Sequence, residues 1–153
     1  MTIEIGIALV LGLAATVEDL WRRTISNWIP VAALAGGFAC QVSAKGLAGL
    51  GAGALGALSG FAVFLVFYLL GGMGGGDVKL MAGFGALLGA GRLLEAALWT
   101  AGAGGVIALL VLAVAWLRSL GQPAGSPKRT PRAIPYAPAI AVGVWLALIP
   151  KGL

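Results

Sequence analysis

The chain has 153 residues, of which 60% are hydrophobic and 10% charged, with a mean hydropathy of +1.03. Soluble domains carry about 25% charged residues, so the composition excludes an ordinary soluble core and indicates an integral membrane protein. A net charge of +5 would suggest nucleic acid in a soluble chain; here the basic residues gather in short connections, where they read as topology signals and not as a nucleic-acid surface. The chain has no histidine and a single cysteine, Cys40. Histidine catalysis, histidine metal ligation, a disulfide framework and a Cys-x-x-Cys metal site are therefore excluded, and no cofactor is expected.

In chain order, six apolar segments run roughly over 3–18, 28–44, 47–70, 78–91, 95–117 and 134–150. The N-terminus, with Glu4 as its only charge, lacks the basic region of a cleavable signal peptide. A helix needs about 20 residues to cross the hydrocarbon. The first, second and sixth segments are a little short, and the fourth clearly so, which predicts a partial or displaced helix there. Gly49/Gly53 and Gly56/Gly60 in the third segment and Gly85/Gly89 in the fourth have the spacing that lets helix backbones approach closely in lipid. The one hydrophilic stretch, Arg118 to Arg132, carries three prolines and two glycines and reads as a loop, with Lys128, Arg129 and Arg132 within reach of anionic headgroups. No linker divides the chain. The expected fold is all-α: a polytopic membrane bundle of about six transmembrane helices, one domain over 1–153.

Six spans would place both termini on one side. Arg22, Arg23, Lys79, Arg118, Lys128, Arg129 and Arg132 fall in the odd-numbered connections, seven in all, against Lys45, Arg92 and Lys151 in the others. The positive-inside rule then puts the odd connections in the cytoplasm and the termini outside.

Two carboxylates meet at that cytoplasmic face. Asp19 ends the first segment, and Asp77 follows the glycine run Gly71-Gly72-Met73-Gly74-Gly75-Gly76. An ionisable residue at a membrane segment is costly and marks a functional site. Two aspartates held close cannot both ionise readily, so one keeps a proton while the other takes one from an attacking water. That is the chemistry of an aspartyl protease. The helix start at Asp77 favours its ionised form, which leans the base role towards Asp77, although the pair titrates as a unit. Glu18 is the rival to Asp19, turned about 100° away on the helix. Lys79 reads either as a snorkelling topology residue or as a partner that tunes Asp77.

These residues resemble a known family. Gly74-Gly75-Gly76-Asp77-Val78-Lys79-Leu80 is similar to the Gly-x-Gly-Asp motif of type IV prepilin peptidases. Asp19 with Arg23-Thr24-Ile25-Ser26-Asn27 resembles their first-aspartate motif, with Ser26 where proline is usual. Ile134-Pro135-Tyr136-Ala137-Pro138 resembles the lead-in to their last helix. The resemblance implies a membrane aspartyl endopeptidase of the bacterial inner membrane, with Asp19 and Asp77 catalytic. Gly74 and Gly76 would shape the approach to Asp77, and the substrate would be a prepilin or pseudopilin cut at its basic leader. The first cytoplasmic loop is too short for the methyltransferase-associated Cys-x-x-Cys insertion of longer members. This points to the short peptidases of Flp-type, tight-adherence pili. On the residues themselves, the glycine run leaves room for an extended substrate backbone.

Three other readings share some of these features. A proton-coupled small transporter would place its carboxylates near mid-span, whereas these lie at segment ends. A non-enzymatic scaffold would tolerate loss of either aspartate. An intramembrane protease for another substrate, such as a preflagellin, shares the dyad and differs only in what it cuts.

Overall fold

The computed structural model describes residues 2–120 and 135–149. Every regular element among them is a helix: α1 (Thr2–Arg22), α2 (Trp28–Lys45), α3 (Ala48–Leu69), α4 (Gly75–Leu120) and α5 (Ala137–Leu148). Leu, Ala and Val runs without interior proline favour helix; Pro30 and Pro138 fall in first turns, where proline is tolerated. Left-handed residues follow three of the helices. Arg23 (φ 57°) follows α1, Gly46 (φ 61°) follows α2 and Gly71 (φ 76°) lies just past α3.

Among the described residues the elements number five, not six, because the fourth and fifth apolar segments are two helical arms joined directly at a kink, with no connection between them. Arg92 and Glu95, which had marked a connection between them, lie inside α4. The interruption comes earlier and is a single residue: Gly89 has φ 68° and ψ 166°, a conformation open only to glycine. A Cβ placed on Gly60 of α3 would lie 2.6 Å from the Met81 carbonyl oxygen and 3.4 Å from a Leu93 methyl. Residues on both sides of Gly89 thus reach the same point, so the chain folds back there. Gly89 had been read as a packing glycine; it is the turn. The packing role falls to Gly56 and Gly85, each of which has the other's carbonyl where a Cβ would stand.

The near arm of α4 (75–88) is the centre of the molecule. Leu80, Met81, Phe84, Ala86 and Leu87 have essentially no exposure. This explains why segment 78–91 is apolar all round yet, at about 21 Å for the near arm, too short to span. The far arm (90–120) packs Gly104 against Tyr136 and Ala139 of α5. Beyond that point Val106, Leu109, Leu110, Leu112 and Leu117 are exposed, an apolar surface suited to lipid.

Among the described residues two helices, α3 and α4, are long and apolar enough to cross a bilayer. α1 carries Glu18, Asp19 and Arg22 in its last turns, and α5 has 12 residues, about 18 Å. Lys128, Arg129 and Arg132 of the expected cytoplasmic loop lie outside the described residues.

Candidate active site

Asp19 lies in the last full turn of α1 and is buried. Its Oδ2 accepts the backbone N–H of Ala137 at 3.1 Å. Ala137 opens α5, whose capping residue Tyr136 makes no side-chain cap hydrogen bond, and a carboxylate from another helix takes one of the orphan donors of that first turn. Burial pushes the Asp19 carboxyl above its ordinary 3.8, and the Ala137 N–H and the nearby charge of Arg23 act against that rise.

Asp77 lies in the first turn of α4 and is likewise buried. Its Oδ2 reaches back to accept the Gly74 N–H at 3.0 Å, while its own N–H donates to the Gly74 carbonyl at 3.1 Å. This reciprocal pairing fixes the first turn of the helix. Its other oxygen, Oδ1, is buried with no hydrogen-bond partner among the described residues. Asp19 lies close enough for its charge to act on Asp77. Two carboxylates 58 positions apart in the chain therefore share one end of the bundle, Asp77 in the first turn of α4 and Asp19, at the end of α1, against the first turn of α5.

The other residues singled out from the sequence do different work. Glu18 is not free to rival Asp19: its two oxygens accept the Ser26 N–H at 2.7 Å and the Ser26 hydroxyl at 2.9 Å. Lys79, read as a snorkelling residue or a partner of Asp77, is exposed, and its Nζ donates to Asn27 Oδ1 at 3.1 Å. Gly76 does not open a space. A Cβ there would lie 3.2 Å from Ile25 Cβ, so the room has been filled by the loop after α1. Gly74 serves as the donor to Asp77, and a Cβ on it would stand 3.3 Å from that carboxylate.

The residues that sequence reasoning missed are Ile25, Asn27 and the Ala137 amide. The first two sit inside a motif whose aspartate drew the attention. The third is a backbone group, signalled only by a helix start at Ala137-Pro138 that brings no capping side chain of its own.

The sequence profile of the type IV leader peptidase family matches residues 6–119. That range includes both aspartates, the glycine run and the loop between α1 and α2. No curated protein and no solved structure matches the chain.

Proposed function

This chain belongs to the type IV leader peptidase family, and we propose that it is an aspartic-type endopeptidase that cuts the basic leader from Flp-type prepilins or pseudopilins. The observation that carries this reading is the pair of buried carboxylates at one end of the bundle, one of them with an unpartnered oxygen.

The two aspartates take different roles. Asp19 is the base: the Ala137 amide at the start of α5 and the charge of Arg23 both support its ionised form. Asp77 holds the shared proton on Oδ1, the oxygen that lacks a donor. This reverses the assignment suggested by the helix start at Asp77, because Asp19 also faces a helix start and has a cation beside it.

Asp19 takes a proton from a water lying between the carboxylates as the water oxygen attacks the scissile carbonyl carbon. Asp77 gives its proton to the carbonyl oxygen, producing a neutral gem-diol. Asp19 then protonates the leaving nitrogen as the C–N bond breaks, and a gem-diol hydroxyl returns a proton to Asp77. The dyad ends the cycle as it began.

We place this site at the cytoplasmic face of the inner membrane of a bacterium. Trp21 and Trp28 are exposed beside Arg22 and Arg23 at the dyad end, the combination of aromatic and basic side chains favoured at a bilayer surface. A prepilin would lie with its apolar helix in lipid and its basic leader in water, so its scissile bond arrives at that level.

The test is leader cleavage in membranes holding a co-expressed Flp-type prepilin, comparing the wild type with Asp19→Asn and Asp77→Asn at equal protein levels. Loss of cleavage in both single variants supports the dyad. Cleavage that survives either change removes that residue from catalysis.

A further inference from the structure

α1 carries Asp19 and α4 carries Asp77, yet of all the helix pairs that pack in this bundle α1 and α4 touch least. Something other than direct packing must fix the distance between the two carboxylates. The loop 23–27, which joins α1 to α2, is bonded to both sides. On the Asp19 side, Ser26 gives its N–H and its hydroxyl to the two oxygens of Glu18, the residue next to Asp19, at 2.7 and 2.9 Å. On the Asp77 side, Ile25 fills the place of a Cβ on Gly76, the residue before Asp77. One turn on, Asn27 accepts from Lys79 at 3.1 Å.

α2 then continues the same contact down the near arm of α4. A Cβ on Gly83 would meet the Pro30 carbonyl at 2.7 Å and the Ala33 methyl at 2.8 Å. One on Gly37 would stand 2.5 Å from the Leu87 nitrogen. At the bottom, Gln41 Nε2 donates to the Leu87 carbonyl at 3.1 Å, beside the turn at Gly89. The near arm of α4, which bears Asp77, is therefore seated on α2 and pinned to the loop at its top.

We propose that the loop 23–27 is the strut that sets the spacing of Asp19 and Asp77, and that Asn27, Lys79, Glu18 and Ser26 are positioning residues for the dyad. Its catalytic meaning rests on the peptidase reading; the spacing itself does not. Asn27 and Lys79 are exposed, so their bond contributes little to the core. Its effect is local, on a turn whose placement decides whether two carboxylates share a proton.

The experiment measures spacing without a substrate. Asp19→Cys and Asp77→Cys are combined with Cys40→Ala in the full-length protein in native membranes and joined with dibromobimane, a reagent that bridges only closely placed thiols. In this background Lys79→Met and Asn27→Ala should each slow crosslinking about fivefold, the ratio that corresponds to a typical hydrogen bond. The two together should slow it no further, since they remove one interaction. Asn27→Asp keeps an acceptor for Lys79 and should hold the rate within about twofold. Ser26→Ala, which removes one donor and leaves the amide, should slow it too, and serves if either of the others fails to accumulate. Unchanged crosslinking in these variants overturns the strut.

Prepilin cleavage is measured in parallel with both aspartates intact. Slowed crosslinking with no cleavage by the wild type removes the peptidase reading and leaves the strut standing. Unchanged crosslinking with normal cleavage removes the strut alone.

Discussion

The backbone amide of Ala137 donates to the Asp19 carboxylate at 3.1 Å across 118 positions of the chain. This bond closes the bundle, bringing the end of the first helix to the start of the last, and it supports a charge on Asp19. Ala137→Pro removes that N–H and also forces Tyr136 out of its helical conformation. A hydrogen bond to a charged group contributes about 1.5–3 kcal/mol, so cleavage by Ala137→Pro should fall between about tenfold and a hundredfold. Ala137→Gly keeps the amide and should stay within a fewfold of wild type. Initial rates of leader cleavage at matched protein levels check both.

Asp19 should be stabilising to remove and fatal to lose. Burial raises its carboxyl above the ordinary 3.8, which means that the folded state holds the proton more tightly than the unfolded chain. Its contribution to stability is therefore full below about pH 4 and is lost as pH rises through the raised value. Asp19→Asn has no charge to bury and keeps an oxygen for the Ala137 N–H. At neutral pH it should melt higher than wild type by at least about 2 °C, the gain vanishing near pH 3.5, while cleavage is abolished. A melting temperature in detergent that is equal to or below wild type at pH 7 would show that the buried Asp19 charge does not destabilise the fold.

Activity should follow a bell-shaped curve in pH, because the mechanism needs one proton shared by the pair. Cleavage falls on the acid side as the second carboxylate protonates and on the basic side as the shared proton leaves. The groups that bias the pair are Arg23, just past α1, the Ala137 N–H at the start of α5 and the Gly74 N–H before α4. Lys79→Met should narrow the bell, since wider spacing weakens the repulsion that keeps the two titrations apart. A curve with a single limb would mean that only one of the aspartates acts in the rate-determining step.

Much of this architecture is legible from hydropathy alone. Segments 3–18, 28–44 and 47–70 correspond to α1, α2 and α3 within a few residues, because in lipid a long apolar run has few alternatives to a helix. What shifted was the break between 78–91 and 95–117, which lies at Gly89 and not at 92–94. Arg92 and Glu95 looked like a connection, but one glycine three residues earlier makes the turn, and periodicity is blind to the sign of φ. For the site, the two aspartates could be read because carboxylates are rare in such a chain. The partners of Glu18, Lys79 and Asp19 could not, since they are set by how the loop and α5 fold over. Ser26 looked like a mere departure from the usual proline, yet its N–H and hydroxyl both bind Glu18, and a proline has neither donor.

Glycines in one helix should divide by what faces them. A Cβ at Gly85 would collide with the Gly56 carbonyl, whereas Gly102 has nothing within 4 Å. Gly85→Ala should therefore destabilise by about 1–3 kcal/mol through overpacking. Gly102→Ala should be neutral or stabilising by up to about 1 kcal/mol from helix propensity. Thermal melts of the two variants in one detergent provide the comparison, and similar losses in both would mean that α3 and the near arm do not meet closely at Gly56 and Gly85.

The fold-back of α4 should depend on Gly89 and Gln41 as a unit. Gly89 holds φ 68°, a region costly for a side chain, and a Cβ on it would also stand 3.1 Å from Gln41 Nε2. Gln41, buried in α2, supplies a donor to the Leu87 carbonyl, which the interrupted helix leaves without its usual partner. Gly89→Ala should cost about 1–3 kcal/mol from backbone strain. Gln41→Leu should cost a similar amount, because a buried carbonyl loses its donor. Both act on the same turn, so the double variant should lose less than the sum of the singles. Strict additivity would show that Gln41 stabilises the bundle elsewhere and that the turn stands on Gly89 alone.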